Sequence, residues 1–427
     1  MIRRRLGIGL LALLPVLLAA VAVGAVLFAR QGGFAPYRVP RDSTRTVASD
    51  AQTLARGEYL VRLGDCAACH TTRGGVPFAG GVAFRTGYGT IYSTNITPDR
   101  EHGIGDWSPD EFAHAMRHGV SRQGPLFPVF PYEQFATLTD ADIDAIYAWL
   151  RTVAPSDAPA VGNRLEFPAN SRNALIGWRM LYYRPSSTAP GKAAVDRGQY
   201  LVDGAGHCAS CHSARGDRYS LPPDGYLAGG SLPVSGWYAP PLDSDALARF
   251  QVAELADYLR TGTSPHGAAY GPMAQVIYGS LAALDANDAA AIASYLKRVA
   301  PRTPKKSRRE EVAGAPGDSA NGAEVYKRAC SDCHGDDGEG KAGRYPPLGN
   351  SVAATAPDPV NAVRVVLYGA MEPTTPGNPR PFSMPPFAQQ LTSAEIAAVV
   401  NYIRRDATPP SRLTADEVES MHGVVLE

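Results

Sequence analysis

The chain is short of net charge and of sulfur. Its 427 residues carry 41 Lys and Arg against 41 Asp and Glu, a formal net charge of zero. A nucleic-acid partner therefore has no electrostatic support. No Gly-x-Gly-x-x-Gly opens a helix after a strand, there is no P-loop, and no convincing nucleophile–base pair stands out. The glycine-rich run Gly335-Asp336-Asp337-Gly338-Glu339-Gly340 carries acidic residues, which argues against phosphate binding. Methionine occurs seven times and cysteine six, so every candidate sulfur ligand can be inspected singly.

The six cysteines are fully used by one motif in three copies: Cys66-Ala67-Ala68-Cys69-His70, Cys208-Ala209-Ser210-Cys211-His212 and Cys330-Ser331-Asp332-Cys333-His334. C-x-x-C-H reads as a covalent attachment site for haem c. Two thiols add to the two vinyl groups, and the following histidine binds the iron as proximal ligand. A single copy could be accidental, a redox dithiol or half of a zinc site. Zinc knuckles, however, come in close pairs, and these copies lie more than a hundred residues apart. A disulfide framework would not place a histidine after every pair. Three haems c are expected, in a compartment outside the cytosol.

The length prior gives about three domains. Abundant Gly (43) and Pro (36) suit small domains with long loops around a cofactor that supplies part of each core. Arg3-Arg4-Arg5 precede an almost unbroken apolar run from Leu6 to Ala29. At about 1.5 Å per residue the run spans roughly 36 Å, enough to cross a bilayer. The arginines hold its N-terminus in the cytoplasm. An uncleaved anchor is favoured over a cleaved signal peptide, because small-residue sites such as Ala20-Val21-Ala22 are followed by more apolar sequence. Either reading exports the rest of the chain.

The expected division is an anchor or signal over 1–30, a tether over 31–54, and repeats over 55–154, 191–300 and 318–406. Linkers fill 155–190 and 301–317, and 407–427 forms a tail over the third repeat. The repeats open at Ala55-Arg56-Gly57, Asp196-Arg197-Gly198 and Ala320-Asn321-Gly322, each a short helical pattern that ends in the motif. Each closes on an amphipathic helix, and Trp149, Tyr295 and Tyr402 take one equivalent place in it, as the aromatic that packs the last helix on the first. An opening helix that delivers C-x-x-C-H is how a class I cytochrome c domain begins. The fold class expected is mainly α: three tandem class I cytochrome c domains behind an N-terminal transmembrane helix. The first linker holds Ile176-Gly177-Trp178-Arg179-Met180-Leu181-Tyr182-Tyr183, a patch expected to pack between the first two domains, with a membrane or partner surface as the alternative. The second linker, Pro301 to Gly317, should be exposed and flexible.

A haem that only carries electrons has its sixth position filled, and methionine there raises the potential. Met384, in Phe382-Ser383-Met384-Pro385, is the candidate in the third repeat, and Met273, in Gly271-Pro272-Met273-Ala274, in the second. In the first repeat Phe130 stands in that place and cannot bind iron. The preceding helix offers Met116, level with Leu259 and Leu367, and also His114 and His118. Met116 is the preferred substitute, with an open site as a further alternative.

Local strings identify a narrower resemblance: Pro77-Phe78-Ala79-Gly80-Gly81, Gly89-Thr90-Ile91-Tyr92-Ser93-Thr94-Asn95-Ile96-Thr97-Pro98-Asp99 and Gly271-Pro272-Met273-Ala274. Over about residues 50–405 the chain resembles the tri-haem cytochrome c subunit of bacterial membrane-bound periplasmic dehydrogenases, of the alcohol, gluconate or sorbitol, or molybdopterin aldehyde and N-heterocycle types. The resemblance implies an electron-transfer subunit, without a catalytic site of its own, on the periplasmic side of the inner membrane. It would pass electrons from a dehydrogenase catalytic subunit to ubiquinone or another cytochrome. Phe130 leans toward a molybdopterin-type partner, with a quinoprotein or flavoprotein as alternatives. Two other readings are a stand-alone membrane-anchored carrier and a haem enzyme or sensor acting at a five-coordinate first haem.

Overall fold

The computed structural model describes residues 15, 18–26, 44–183, 196–216, 220, 225–232, 235–301, 319–341, 343–349, 351–407 and 411–422. Most of the expected anchor, all of the second linker beyond Pro301 and part of the tail lie outside these residues. Among the described residues no helix is long and apolar enough to cross a membrane. The chain divides into two compact units, Met1–Gly57 with Ala79–Gly191, and Glu58–Phe78 with Lys192–Glu427. Their boundary falls inside the opening helix α1 (Ala51–Leu63).

The first unit is built around α2 (Pro109–His118) and α3 (Asp140–Leu150). Ser108 caps α2 in a reciprocal box with Glu111, Pro109 occupies the first turn, and left-handed Gly119 ends the helix. Thr139 caps α3, whose Ile143, Ile146, Tyr147 and Leu150 form the buried stripe that an amphipathic helix presents to a core. Phe112 meets Tyr147 with ring centroids 5.4 Å apart. A small antiparallel sheet joins β1 (Ala83–Thr86), β2 (Gly89–Tyr92) and the strand Arg164–Leu165.

The first linker carries a packed helix. Its helix α4 (Arg172–Tyr182) packs within the first unit through Leu175, Ile176 and Arg179, all buried. Arg179, in the patch expected to pack between domains with a membrane or partner surface as the alternative, turns inward. It donates to the His118 carbonyl over 2.8 Å and lies 4.3 Å from the Tyr183 ring centroid. Leu181 remains exposed.

The second unit carries two helical repeats in series. The first has α5 (Arg197–Tyr200) running into a π-turn over Leu201–Ala205, then α6 (Val252–Thr261), α7 (Gly271–Gly279) and α8 (Ala286–Val299). The other has α9 (Ser319–Ala329), α10 (Val360–Tyr368) and α11 (Ser393–Ile403). Val325, Tyr326, Val363, Leu367, Ile396, Val399 and Val400 make its core. The tail adds α12 (Ala415–Glu419), whose Val418, with Leu413, is buried in that same core.

One packing device occurs three times. A Cβ on Gly57 would run into the Ala145 carbonyl and come within 2.8 Å of the Trp149 Cβ. Gly198 stands in the same relation to Ala291 and, at 2.7 Å, to Tyr295, and Gly322 to Ala398 and, at 2.9 Å, to Tyr402. Opening and closing helices thus cross at backbone contact, which only glycine permits. The three aromatics sit at these crossings, as their sequence positions suggest.

Candidate functional site

All three Cys-x-x-Cys-His motifs fold as short helical turns: Cys66–His70, Ala209–His212 and Ser331–His334. No cysteine is paired. Burial pushes the Cys66 and Cys208 thiols up to about 12 and the Cys330 thiol up to about 11, so these are protonated thiols at neutral pH. Among the described residues no group of three or more His, Cys, Asp or Glu gathers as a metal cluster.

His212 and His334 are aimed by backbone carbonyls. His212 Nδ1 lies 2.8 Å from the Pro240 carbonyl oxygen, and His334 Nδ1 lies 2.9 Å from that of Pro346. A carbonyl only accepts, so Nδ1 carries the proton and the Nε2 lone pair is left for a metal. Burial holds both imidazoles below the usual histidine range despite these bonds, which keeps them neutral, as ligation requires. The donor chemistry therefore fits a haem iron. The acidic glycine run closes around this turn: Gly340 N–H donates to the His334 carbonyl over 2.8 Å, and Tyr326 Oη to the Gly335 carbonyl over 2.7 Å.

The first two motifs adjoin within the second unit. His207, directly before Cys208, donates from Nε2 to the Gly64 carbonyl over 3.1 Å. Ser280 Oγ donates to the Leu63 carbonyl over 2.9 Å, and Tyr59 Oη to Asp288 over 2.5 Å. Asp65 and His207 hold equivalent places before their motifs and both adopt positive φ, 47° and 35°. Burial raises the Asp65 carboxyl to about 6. Sequence reasoning missed these contacts, because a side chain meeting a distant carbonyl leaves no periodic trace.

The distal candidates occupy three different local structures. Met384 lies in a strand, Ser383–Met384, paired with Ala370–Met371, and packs on the third repeat's core. Met273 lies in the first turn of α7. Phe130 precedes the helical turn Tyr132–Phe135. Leu126 N–H donates to the Gly119 carbonyl and Ala269 N–H to the Gly262 carbonyl, each over 2.7 Å. Counting four residues on from each donor reaches Phe130 and Met273, so the two loops are in register. Met116 is buried on α2. His114 and His118 flank it with ring centroids 4.6 Å apart. Burial lowers both rings, His118 to about 4.

Known proteins match this chain along most of its length. Residues 319–405 match the family model of cytochrome c, and residues 52–150 that of cytochrome C oxidase, cbb3-type, subunit III. The gluconate 2-dehydrogenase cytochrome c subunit of Pantoea cypripedii is 40% identical over 84% of this chain and 86% of its own length. The cytochrome c subunit of alcohol dehydrogenase (quinone) from Gluconobacter oxydans is 35% identical over 87% of this chain and 83% of its own. A nicotinate dehydrogenase subunit from Pseudomonas putida is 40% identical over 83% of this chain but only 30% of its own length. With this identity over more than four-fifths of both chains in the gluconate and alcohol dehydrogenase relatives, and with cytochrome family models matched, the chain belongs to the family of dehydrogenase cytochrome c subunits, which transfer electrons and bind haem c covalently.

Proposed function

We propose that the chain carries three haems c in three tandem cytochrome c domains and conducts electrons from a dehydrogenase catalytic subunit to ubiquinone or a further cytochrome. Cys66 and Cys69, Cys208 and Cys211, and Cys330 and Cys333 attach them. His70, His212 and His334 are the proximal ligands. Met273 and Met384 complete the second and third sites, and Met116 the first. The observation that carries this reading is the pair of Nδ1–carbonyl bonds at His212 and His334, which orient both imidazoles as ligands. The threefold crossing at Gly57, Gly198 and Gly322 supports one domain per motif.

Bound haem supplies a one-electron iron couple. The chain's residues supply orientation, burial and charge, which set its potential. Phe130 in the register of Met273 favours a molybdopterin-type partner, and the apolar run from Leu6 to Ala29 favours an inner-membrane anchor with the repeats in the periplasm.

Gentle detergent purification of the tagged chain, with mass spectrometry, tests the reading. Three haems per chain and a co-purifying cofactor-bearing subunit are expected, and a molybdopterin subunit with an iron–sulfur partner would support the finer assignment. A quinoprotein or flavoprotein would replace it. No partner would favour a stand-alone carrier. Replacing Met273, Met384 and Met116 singly by Leu should each remove one thioether–iron band from the visible spectrum. A high-spin first haem in the unaltered chain would instead support an open site that binds ligands.

A further inference from the structure

Among the described residues Arg364 is a buried cation without an acidic partner. It lies on α10, 2% exposed, with Nε and Nη2 both lacking a hydrogen-bond partner. Among the described residues no acidic side chain pairs with it. Its guanidinium lies 4.9 Å from the Trp237 ring centroid and 5.9 Å from that of Tyr368. Aromatic faces stabilise a cation but do not satisfy its N–H donors. A guanidinium hidden from water with open donors is costly unless a carboxylate or phosphate meets it.

Trp237 relates Arg364 to the second attachment site. It begins the strand Trp237–Ala239, which leads directly into Pro240, whose carbonyl orients His212. Its ring packs on Tyr270, with centroids 5.9 Å apart, and a Cβ on Gly271 would lie 3.0 Å from it. Tyr270 and Gly271 open α7, which carries Met273. The segment whose carbonyl orients His212 and the segment that bears Met273 thus converge on the indole that Arg364 covers. Asn361, one turn before Arg364, fixes this contact. It accepts from Tyr238 N–H over 2.9 Å and donates to the Tyr238 carbonyl over 2.7 Å.

We propose that Arg364, carried by the third repeat, holds a propionate carboxylate of the haem attached at Cys208 and Cys211, so that the third repeat sets the potential of the second haem. This rests on the three-haem reading above. A planar guanidinium offers the paired donors that a carboxylate accepts, and its fixed charge favours the ionised propionate. Removing the charge stabilises the oxidised, more positive iron and lowers the potential.

The test is spectroelectrochemical titration of the full haem-loaded chain as Arg364→Gln, Arg364→Lys and Asn361→Ala, beside Met273→Leu and Met384→Leu as spectral markers of the second and third haems. Arg364→Gln should lower one midpoint potential, that of the haem marked by Met273→Leu, and make it depend on pH near neutrality. Arg364→Lys, which keeps the charge, should lie between the two, and it carries the test if the Gln variant does not load haem. Asn361→Ala, which removes the two bonds to Tyr238 that hold this contact, should lower the same midpoint potential by less than Arg364→Gln does. Three unshifted potentials, or a shift confined to the haem marked by Met384→Leu, would overturn the proposal. A haem count below three in the unaltered chain would sink the three-haem reading and is read separately, from the mass of the intact chain.

Discussion

His207 reaches across to Gly64 and donates from Nε2 to its carbonyl over 3.1 Å. The ring precedes Cys208, and the carbonyl lies two residues before Cys66. A single hydrogen bond therefore links the backbones leading to the first two attachment motifs. Burial lowers the His207 pKa, which keeps the ring neutral and Nε2–H available as donor. His207→Ala should cost about 1–2 kcal/mol of stability. On the proposed three-haem reading it should also slow electron equilibration between the first two haems after flash reduction, with the third unaffected. His207→Gln, which retains an N–H donor, should recover part of both. Unchanged equilibration in the Ala variant would show that the bond is structural only.

The glycine crossings make a sharper claim. At Gly57, Gly198 or Gly322 a methyl group would collide with a facing carbonyl that cannot retreat without parting the helices. Each substitution to Ala should cost about 1–3 kcal/mol or more and lower the yield of haem-loaded chain. Gly177, inside α4 with nothing within 4 Å of its added Cβ, is the control. There Ala should raise stability by up to about 1 kcal/mol. Thermal unfolding of the four variants reads both signs.

Asp65 gives a pH-dependent prediction. Burial raises its carboxyl from 3.8 to about 6 in the fold. The folded state therefore binds a proton that the unfolded state has released. Stability is undiminished below pH 3.8, falls as pH rises toward 6 and stays reduced above it. Asp65→Asn keeps the left-handed backbone, which Asn tolerates. It should stabilise the chain by about 3 kcal/mol at pH 8 and hardly at all at pH 4. Denaturant unfolding at the two pH values measures the difference.

Glu111 runs the other way. It is 1% exposed, and burial alone would raise its pKa, but Arg122 and Ser108 outweigh burial and hold it low. Arg122 Nε donates to one carboxylate oxygen over 2.6 Å and Nη2 to the other over 2.5 Å. Arg122→Met strands the carboxylate and should cost about 3–5 kcal/mol at neutral pH. A lowered carboxyl pKa contributes stability above its unfolded value and loses it in acid, so the gap between variant and parent should close below about pH 4.5. Chemical denaturation across that range shows whether it does.

The attachment motifs, the helices before and after them, and the place of Trp149, Tyr295 and Tyr402 were legible in the sequence because they are local patterns. C-x-x-C-H is a fixed spacing, and a helix writes its buried face as a period. Phe130 was legible as a departure because Gly119, eleven residues before it, aligns with Gly262, eleven residues before Met273. Arg364 and Arg179 were not. Arginine is ordinarily a surface residue, and nothing in the neighbouring letters says that an indole or a tyrosine ring will cover it. The His207–Gly64 bond was invisible for a related reason: its acceptor is a main-chain oxygen, which every residue possesses.

The π-turn at Leu201–Ala205 bears on how the repeats tolerate differences in length. From the crossing glycine to the first thiol the chain counts nine positions in the first repeat, ten in the second and eight in the third. The second repeat takes up its long count by widening one helical turn, with Gly204 leaving the helical region, while its crossing at Ala291 keeps the form seen in the other two. The last turn of the opening helix thus works as an expansion joint: residues gained or lost there alter the winding locally, and both the helix crossing and the attachment turn keep their own geometry.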